Sequence, residues 1–441
     1  MEIDINTETP IDKNIVAKNV ELVGKKFIRA GNTRMIRRMV DLIEAETDEK
    51  YIRMEVGEPG IRPLEIELSP ELAEMKKNVS SYPPPDGLPV LKTEMSKFLK
   101  SFLDIDIPPL CCIPTVGSLN GCYASFMTST KRIKGQDTIL FIDPGFPAHK
   151  SMARMLGFNQ ETFDAYEYRG EKLRAILYYK LSKGNIAALL YSNPNNPAWI
   201  CFTEEELKII AELADEFNVI AIEDLAYFGM DFRKDFAHPG APPYPPTIAN
   251  YTDNCMVLIS SSKAFSYAGE RIAILALPLS LYNGQFPNLL EHYSTDTFGM
   301  ALVYGSILLT TGGVSQSVQL QLTGILRAAN EGRYIFLDET KVYGEKAEIM
   351  KQMFIRNGFS IVYDRDGPDP IADGFFFTVS YPGFEGDELS ERLLYYGISS
   401  IPLSSTGSLR AEGIRICVSI IQKEQFPLLE QRLMDFQKDN V

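Results

Sequence analysis

Ile186-Ala-Ala-Leu-Leu-Tyr191, Ser192-Asn-Pro-Asn-Asn-Pro197, Thr203-Glu-Glu-Glu206 and Val219-Ile-Ala-Ile222 are the segments whose reading decides the fold. The first is a short, wholly apolar run of the kind buried on both faces of a sheet. The Asn/Pro cluster stops it. Thr203 then opens a helix, and Glu206 three residues on completes a capping box. Leu207, Ile210, Ala211 and Ala214 follow at helical spacing. A second apolar run ends in Glu223-Asp224. Strand, helix and strand in that order require a crossover, so the two strands are expected to lie parallel.

The same punctuation recurs on either side. Thr138-Ile-Leu-Phe-Ile142 runs into Asp143-Pro-Gly-Phe-Pro147, and Cys255-Met-Val-Leu-Ile259 into Ser260-Ser-Ser-Lys263. Cys112-Ile-Pro-Thr-Val116 meets Gly117-Ser118-Leu119, where a helix begins. The expected class is therefore α/β, with a mostly parallel sheet and crossover helices. Nearer the N-terminus, Met35, Ile36, Met39, Val40 and Ile43 mark an amphipathic helix. Beyond about residue 315 the pattern becomes helix, strands, helix, with Phe375-Phe-Phe-Thr-Val-Ser380 and Ile414-Arg-Ile-Cys-Val418 the clearest strands. The expected division is 1–65 as an arm and part of a small domain, 66–315 as the large domain, and 316–441 as the C-terminal small domain. Pro83-Pro-Pro85 and residues 239–246 read as loops, the latter a surface excursion, since strand patterning resumes after it.

At 441 residues and a net charge of −14, with no basic stretch, the chain is not expected to bind nucleic acid. Six cysteines without CxxC spacing and three histidines without HExxH give a metal little to bind, so free thiols are expected. No apolar run reaches spanning length. The acidic start Met1-Glu-Ile-Asp4 lacks the features of a signal peptide, so the cytoplasm is the expected location.

Parallel crossovers place all the strand carboxyl ends on one edge, where ligands of open α/β sheets bind. Gly117-Ser118, Phe146, Asn196, Asp224 with Tyr227, and Ser260-x-Ser262-Lys263 should therefore share one crevice. Singly, each has a plainer reading: a strand-end lysine is ordinarily solvated, Asp224 a cap, Tyr227 and Phe146 packing. Together they are the polar equipment for a phosphorylated heteroaromatic aldehyde. An amine forms a Schiff base with an aldehyde and then serves as a base. A carboxylate keeps a pyridine nitrogen protonated. Asn and Tyr hydrogen-bond a ring hydroxyl. Gly-Ser at a helix start, with Arg271 eight residues beyond the lysine, suits a phosphate.

These segments resemble the fold-type I pyridoxal-phosphate enzymes, specifically the class I/II aminotransferases. Ser260-Ser-Ser-Lys263 with Gly269-Glu-Arg271 is similar to the family's lysine motif, and Asn193-Pro-Asn-Asn196-Pro197 to its NPNNP loop. Asp224-Leu-Ala-Tyr227, Tyr82-Pro-Pro-Pro-Asp-Gly87, Val56-Gly57-Glu-Pro59 and Gly413-Ile-Arg415-Ile resemble four further motifs, in family order. The resemblance implies a three-layer αβα domain with a smaller α+β domain formed by both chain ends. It implies pyridoxal 5′-phosphate bonded to Lys263, with Asp224 at the pyridine nitrogen and Asn196 and Tyr227 at the ring hydroxyl. Phe146 then stacks on the ring. Gly117, Ser118, Leu119, Ser260, Ser262 and Arg271 surround the phosphate, with Tyr82 supplied by the other protomer of a homodimer. Arg415 and the Gly57 N–H take the substrate carboxylate.

The implied reaction is transamination between an L-amino acid and a 2-oxo acid. A C–S β-lyase or an aminocyclopropane-carboxylate synthase would use the same motifs. A non-enzymatic sensor is disfavoured by the retained lysine, aspartate and arginine. Three features depart from the pattern or stand outside it. Ala198-Trp199 replaces the usual Thr-Gly, so that turn must be built differently. His149 stands where many relatives carry tyrosine. Arg62, near the Gly57 loop, is a candidate second cation for an acidic side chain, against a plainer solvated reading.

Overall fold

The computed structural model describes residues 8–77 and 80–440; the acidic start Met1–Asp4 lies outside them. A seven-stranded sheet organises the large part of the chain. In chain order its strands are β1 (Cys112–Thr115), β2 (Thr138–Asp143), β3 (Asn159–Asp164), β4 (Ile186–Ser192), β5 (Ile220–Leu225), β6 (Cys255–Ser260) and β7 (Ala273–Ala276). Their spatial order is β1-β7-β6-β5-β4-β2-β3. The pairs from β6 through β5, β4 and β2 to β3 are parallel, while β7 runs antiparallel to both its neighbours. Five of the seven, β1, β2, β4, β5 and β6, were expected as strands from their apolar runs, and each is buried along its length. β3 escaped the sequence reading because it is an edge strand with the polar face Asn159-Gln-Glu-Thr. β7 (Ala273–Ala276) was not read as a strand either.

The crossover quoted at the outset forms as read. Helix Glu204–Glu216 has Thr203 as N-cap in a capping box with Glu206, and it buries Leu207, Ile210, Ala211 and Ala214. Register pairs Ser192 with Asp224 and Asp224 with Leu258, so the ends of β4, β5 and β6 are level.

The smaller part has an antiparallel four-stranded sheet in the order β10-β11-β9-β8: β8 (Ser360–Ile361), β9 (Phe376–Ser380), β10 (Ile401–Pro402) and β11 (Ile414–Cys417). The N-terminal segment joins it. Ile52–Arg53 pairs in parallel with Ile398–Ser399, and helix Thr33–Thr47 buries Ile36, Met39, Val40 and Ile43 in one apolar cluster with Leu394 and Ile401. Helix Gln316–Asn330 packs along Pro89–Leu103, and Gln319 Oε1 accepts the Leu88 N–H at 2.8 Å. All six cysteines are unpaired, five of them buried. Among the described residues no helix is long and apolar enough to cross a membrane.

Candidate active site

Lys263 lies in the short helix Ser261–Ala264 directly after β6, where the Ser260 hydroxyl accepts the Ser262 N–H at 3.2 Å. That cap turns the chain so that the lysine amine reaches the Gly57 carbonyl, to which it donates a hydrogen bond. The Phe375 ring centroid is 5.5 Å from Nζ. Burial pulls the amine down to about 8, with the nearby Arg415 and Arg271 guanidiniums acting in the same direction. Near neutrality an appreciable share is therefore the unprotonated nucleophile.

Asp224, near the end of β5, is buried, and its Oδ1 has no hydrogen-bond partner among the described residues. Oδ2 lies 3.6 Å from His149 Nε2. Burial pushes the carboxyl up to about 7 and the imidazole down to about 4. The pair is therefore held with little charge until a cation faces Oδ1. His149 sits three residues beyond Phe146 at the start of helix Pro147–Met155, which puts both on one face. Their rings meet edge-to-face at 5.4 Å, and Phe146 is 36% exposed. His149 Nε2 also lies 3.5 Å from the Cys122 thiol, a neighbour nothing in the sequence pattern announced.

Arg415 comes from β11 of the smaller part and is buried. Nη1 donates to Asn196 Oδ1 at 3.1 Å and Nη2 to the Glu55 carbonyl at 2.7 Å, while Nε has no partner among the described residues. Among the described residues no carboxylate pairs with it, and burial pulls its pKa below the ordinary value. The guanidinium lies 4.1 Å from the Phe376 ring centroid. Phe376 also fixes the substrate loop: a Cβ on Gly57 would come within 2.8 Å of its ring tip. Tyr227 is buried with its ring centroid 5.4 Å from that of Phe376, and a Cβ on Gly57 would lie 3.8 Å from its hydroxyl.

At the other end of the crevice Gly117 begins helix Gly117–Ser129 with φ +70°. A Cβ there would meet Arg271 Nη2 at 2.5 Å, so the glycine admits the guanidinium to the helix start. Arg271 itself takes a left-handed φ of 54° and donates to the Ala268 carbonyl at 2.7 Å. Ser118 and Leu119 occupy the first turn, half-buried, and Ser262 is buried nearby. Helix N–H groups, a hydroxyl and a guanidinium at one point can hold a phosphate.

The structure thus brings Lys263, Gly57, Asp224, Tyr227, Asn196 and Arg415 into one crevice, with Gly117 and Arg271 at its end. Tyr82 is not among them: its side chain is 99% exposed. Arg62 is likewise exposed.

A profile of the family described as aminotransferase class I and II matches residues 50–430. The chain belongs to this family. The class I and II aminotransferases similar to it include a probable aspartate aminotransferase of Methanocaldococcus jannaschii, 24% identical over 226 residues, 51% of this chain and 56% of the relative. The aspartate aminotransferase of Pyrococcus horikoshii is 26% identical over 259 residues, 58% of this chain and 63% of the relative. The matched stretches thus span less than two thirds of those aminotransferases. The structure of Thermus thermophilus aspartate aminotransferase superposes with a TM-score of 0.70 at 16% identity, covering 92% of this chain and 96% of that one, a likeness of fold. The αβα architecture expected of a fold-type I aminotransferase is the one the chain adopts.

Proposed function

We propose that the protein is a pyridoxal 5′-phosphate-dependent aminotransferase that moves an amino group from an L-amino acid to a 2-oxo acid in two half-reactions at one site. One observation carries the reading: Arg415, a buried guanidinium without an acid partner among the described residues, shares a crevice with the amine of Lys263 and the open oxygen of Asp224. A buried charge left without its counter-ion is costly, and a substrate carboxylate supplies that counter-ion.

The residues fit the cofactor. Asp224 Oδ1 is a buried acceptor lacking a donor, as a pyridinium N–H requires. The missing Cβ of Gly117 leaves room for Arg271 to close a phosphate cradle with Ser118, Leu119, Ser260 and Ser262. When bound, pyridoxal phosphate supplies an aldehyde for the amino group and a protonated ring that withdraws electrons from Cα.

The protein's own groups do the remainder. Lys263 attaches the cofactor, and once a substrate amine replaces it, the freed amine carries the Cα proton. Asp224, ionised by the facing cation, holds the ring nitrogen protonated, with His149 Nε2 behind Oδ2. Asn196 accepts from Arg415 and, with Tyr227, would hold the ring hydroxyl, so carboxylate binding and ring orientation would share one side chain. Phe146 would cover a ring face. The Gly57 loop, held by Lys263 and Phe376, lies against the substrate. Tyr82, fully exposed here, serves the phosphate site of a second protomer in a homodimer.

Single-turnover spectroscopy tests this reading. Holoenzyme mixed with one amino acid at a time is expected to convert to the pyridoxamine form with release of the matching oxo acid. Failure with every amino acid would remove the reading. Ammonia and pyruvate released from cystathionine without an acceptor oxo acid would assign a β-lyase instead.

A further inference from the structure

We infer that Trp199 is a positioning residue that braces Tyr227 directly and the Arg415 guanidinium through Phe376; the inference rests on the reading of Arg415 as the carboxylate clamp. Trp199 stands where the family pattern has glycine and adopts the left-handed φ of 58° that glycine would take without cost. For so bulky a side chain that conformation is strained, and it persists only where the surroundings hold it.

The surroundings here are specific. The Trp199 N–H donates to the Asn195 carbonyl at 3.0 Å, the Asn195 side chain accepts the Ala198 N–H at 3.1 Å, and Asn195 N–H returns to the Ile200 carbonyl at 2.9 Å. The indole Nε1–H donates to the Met230 carbonyl at 3.2 Å. The side chain is among the largest fully buried in the protein. Its place exists because residue 374 is glycine: a Cβ there would collide with the indole.

The indole presses on two groups of the site. Its ring lies 5.0 Å from Tyr227 at 61° and 5.9 Å from Phe376 at 74°. Phe376 is in turn 5.4 Å from Tyr227 and 4.1 Å beneath Arg415. Because Asn196 follows Asn195 and accepts from Arg415, the turn that orients the indole also sets a hydrogen-bond partner of the clamp. Edge-to-face packing has a defined geometry, so a missing ring lets Tyr227 and Phe376 shift together. Small displacements of binding groups have large kinetic effects.

The test compares wild type with W199F, W199G, G374A and W199G/G374A, measuring kcat and KM for an amino acid that converts wild type in single turnover, the dissociation constant of pyridoxal 5′-phosphate from stripped protein, and the melting midpoint. W199G relieves the backbone strain but empties a large buried site, so its melting midpoint should fall; G374A, which displaces the indole without deleting it, carries the test should W199G not fold. W199G is expected to raise KM and the cofactor dissociation constant by roughly tenfold, with a smaller fall in kcat. W199F, which keeps a ring, should stay within about threefold of wild type. G374A should behave like W199G, and the double variant should be no worse than W199G, because there is then no indole to meet the added methyl. The inference is overturned if W199G moves only the melting midpoint and leaves both constants within about twofold, or if the two penalties multiply in the double variant. If wild type turns over no amino acid, the aminotransferase reading fails, and the cofactor constants still decide the role of Trp199.

Discussion

Replacing Arg415 by glutamine takes a charge out of the interior, and the structure allows the effects on folding and on substrate to be worked separately. In folding, the change gives up the charged hydrogen bonds to Asn196 Oδ1 and the Glu55 carbonyl, at roughly 1.5–3 kcal/mol each. It also gives up the contact with Phe376, worth about 2 kcal/mol when desolvated. Against that loss stands the relief of no longer holding an ion out of water, several kcal/mol for an unpaired one. The two offset each other in large part, so the unfolding free energy should fall by about 2–3 kcal/mol at most. Substrate binding has no such compensation. A carboxylate that loses its buried partner loses roughly 3–5 kcal/mol, or between about a hundredfold and a few thousandfold in kcat/KM. Calorimetry of the holoenzyme and steady-state kinetics with an amino acid that converts wild type in single turnover measure the two quantities on one preparation. A variant that melts far below wild type yet keeps kcat/KM within about tenfold would show that Arg415 is a structural cation and refute the reasoning.

Lys263→Ala should abolish the borohydride-reducible adduct between cofactor and chain, read by mass spectrometry, while leaving the fold intact; a persistent adduct would place the attachment elsewhere. In cofactor-free protein the Asp224 carboxyl sits near 7 instead of its ordinary 3.8. Below pH 4 it is protonated folded or unfolded; as pH rises from 4 to 7 the unfolded chain releases its proton first, so stability is lost across that window. Asp224→Asn should therefore stabilise the stripped protein at pH 8 by roughly 2–4 kcal/mol and have little effect at pH 4, as urea titrations at both pH values would show. Tyr82→Phe should weaken cofactor retention by roughly tenfold without altering the melting of stripped protein, and active wild type should sediment as a dimer; active monomers would contradict that assignment.

Much of this site was legible because its residues stand at strand ends. Asn196, Asp224 and Lys263 each follow an apolar run, and the level register of β4, β5 and β6 gathers what the runs deliver. What was not legible depended on neighbours remote in sequence. Cys122 meets His149 only because helices Gly117–Ser129 and Pro147–Met155 flank the same sheet end. Phe376 reads only as part of a strand in the sequence, yet its ring carries Arg415 and excludes a Cβ from Gly57. Trp199 gave a warning in the sequence as a break in a motif, but its seat depends on a glycine 175 positions away (374 − 199).

The sequence by itself determined the local alternation of buried runs, turn residues and caps, and with it a parallel sheet whose polar residues share an edge, because those preferences act over a few residues at a time. Only the tertiary structure decided which groups there are left without partners. Whether Arg415 is an ordinary salt-bridged strand residue or a buried cation awaiting a carboxylate depends on what the fold does not place beside it. Whether Asp224 is a cap or an open acceptor turns on the same question. Burial and partnership are properties of all the chain that surrounds a side chain, and no window of sequence contains them.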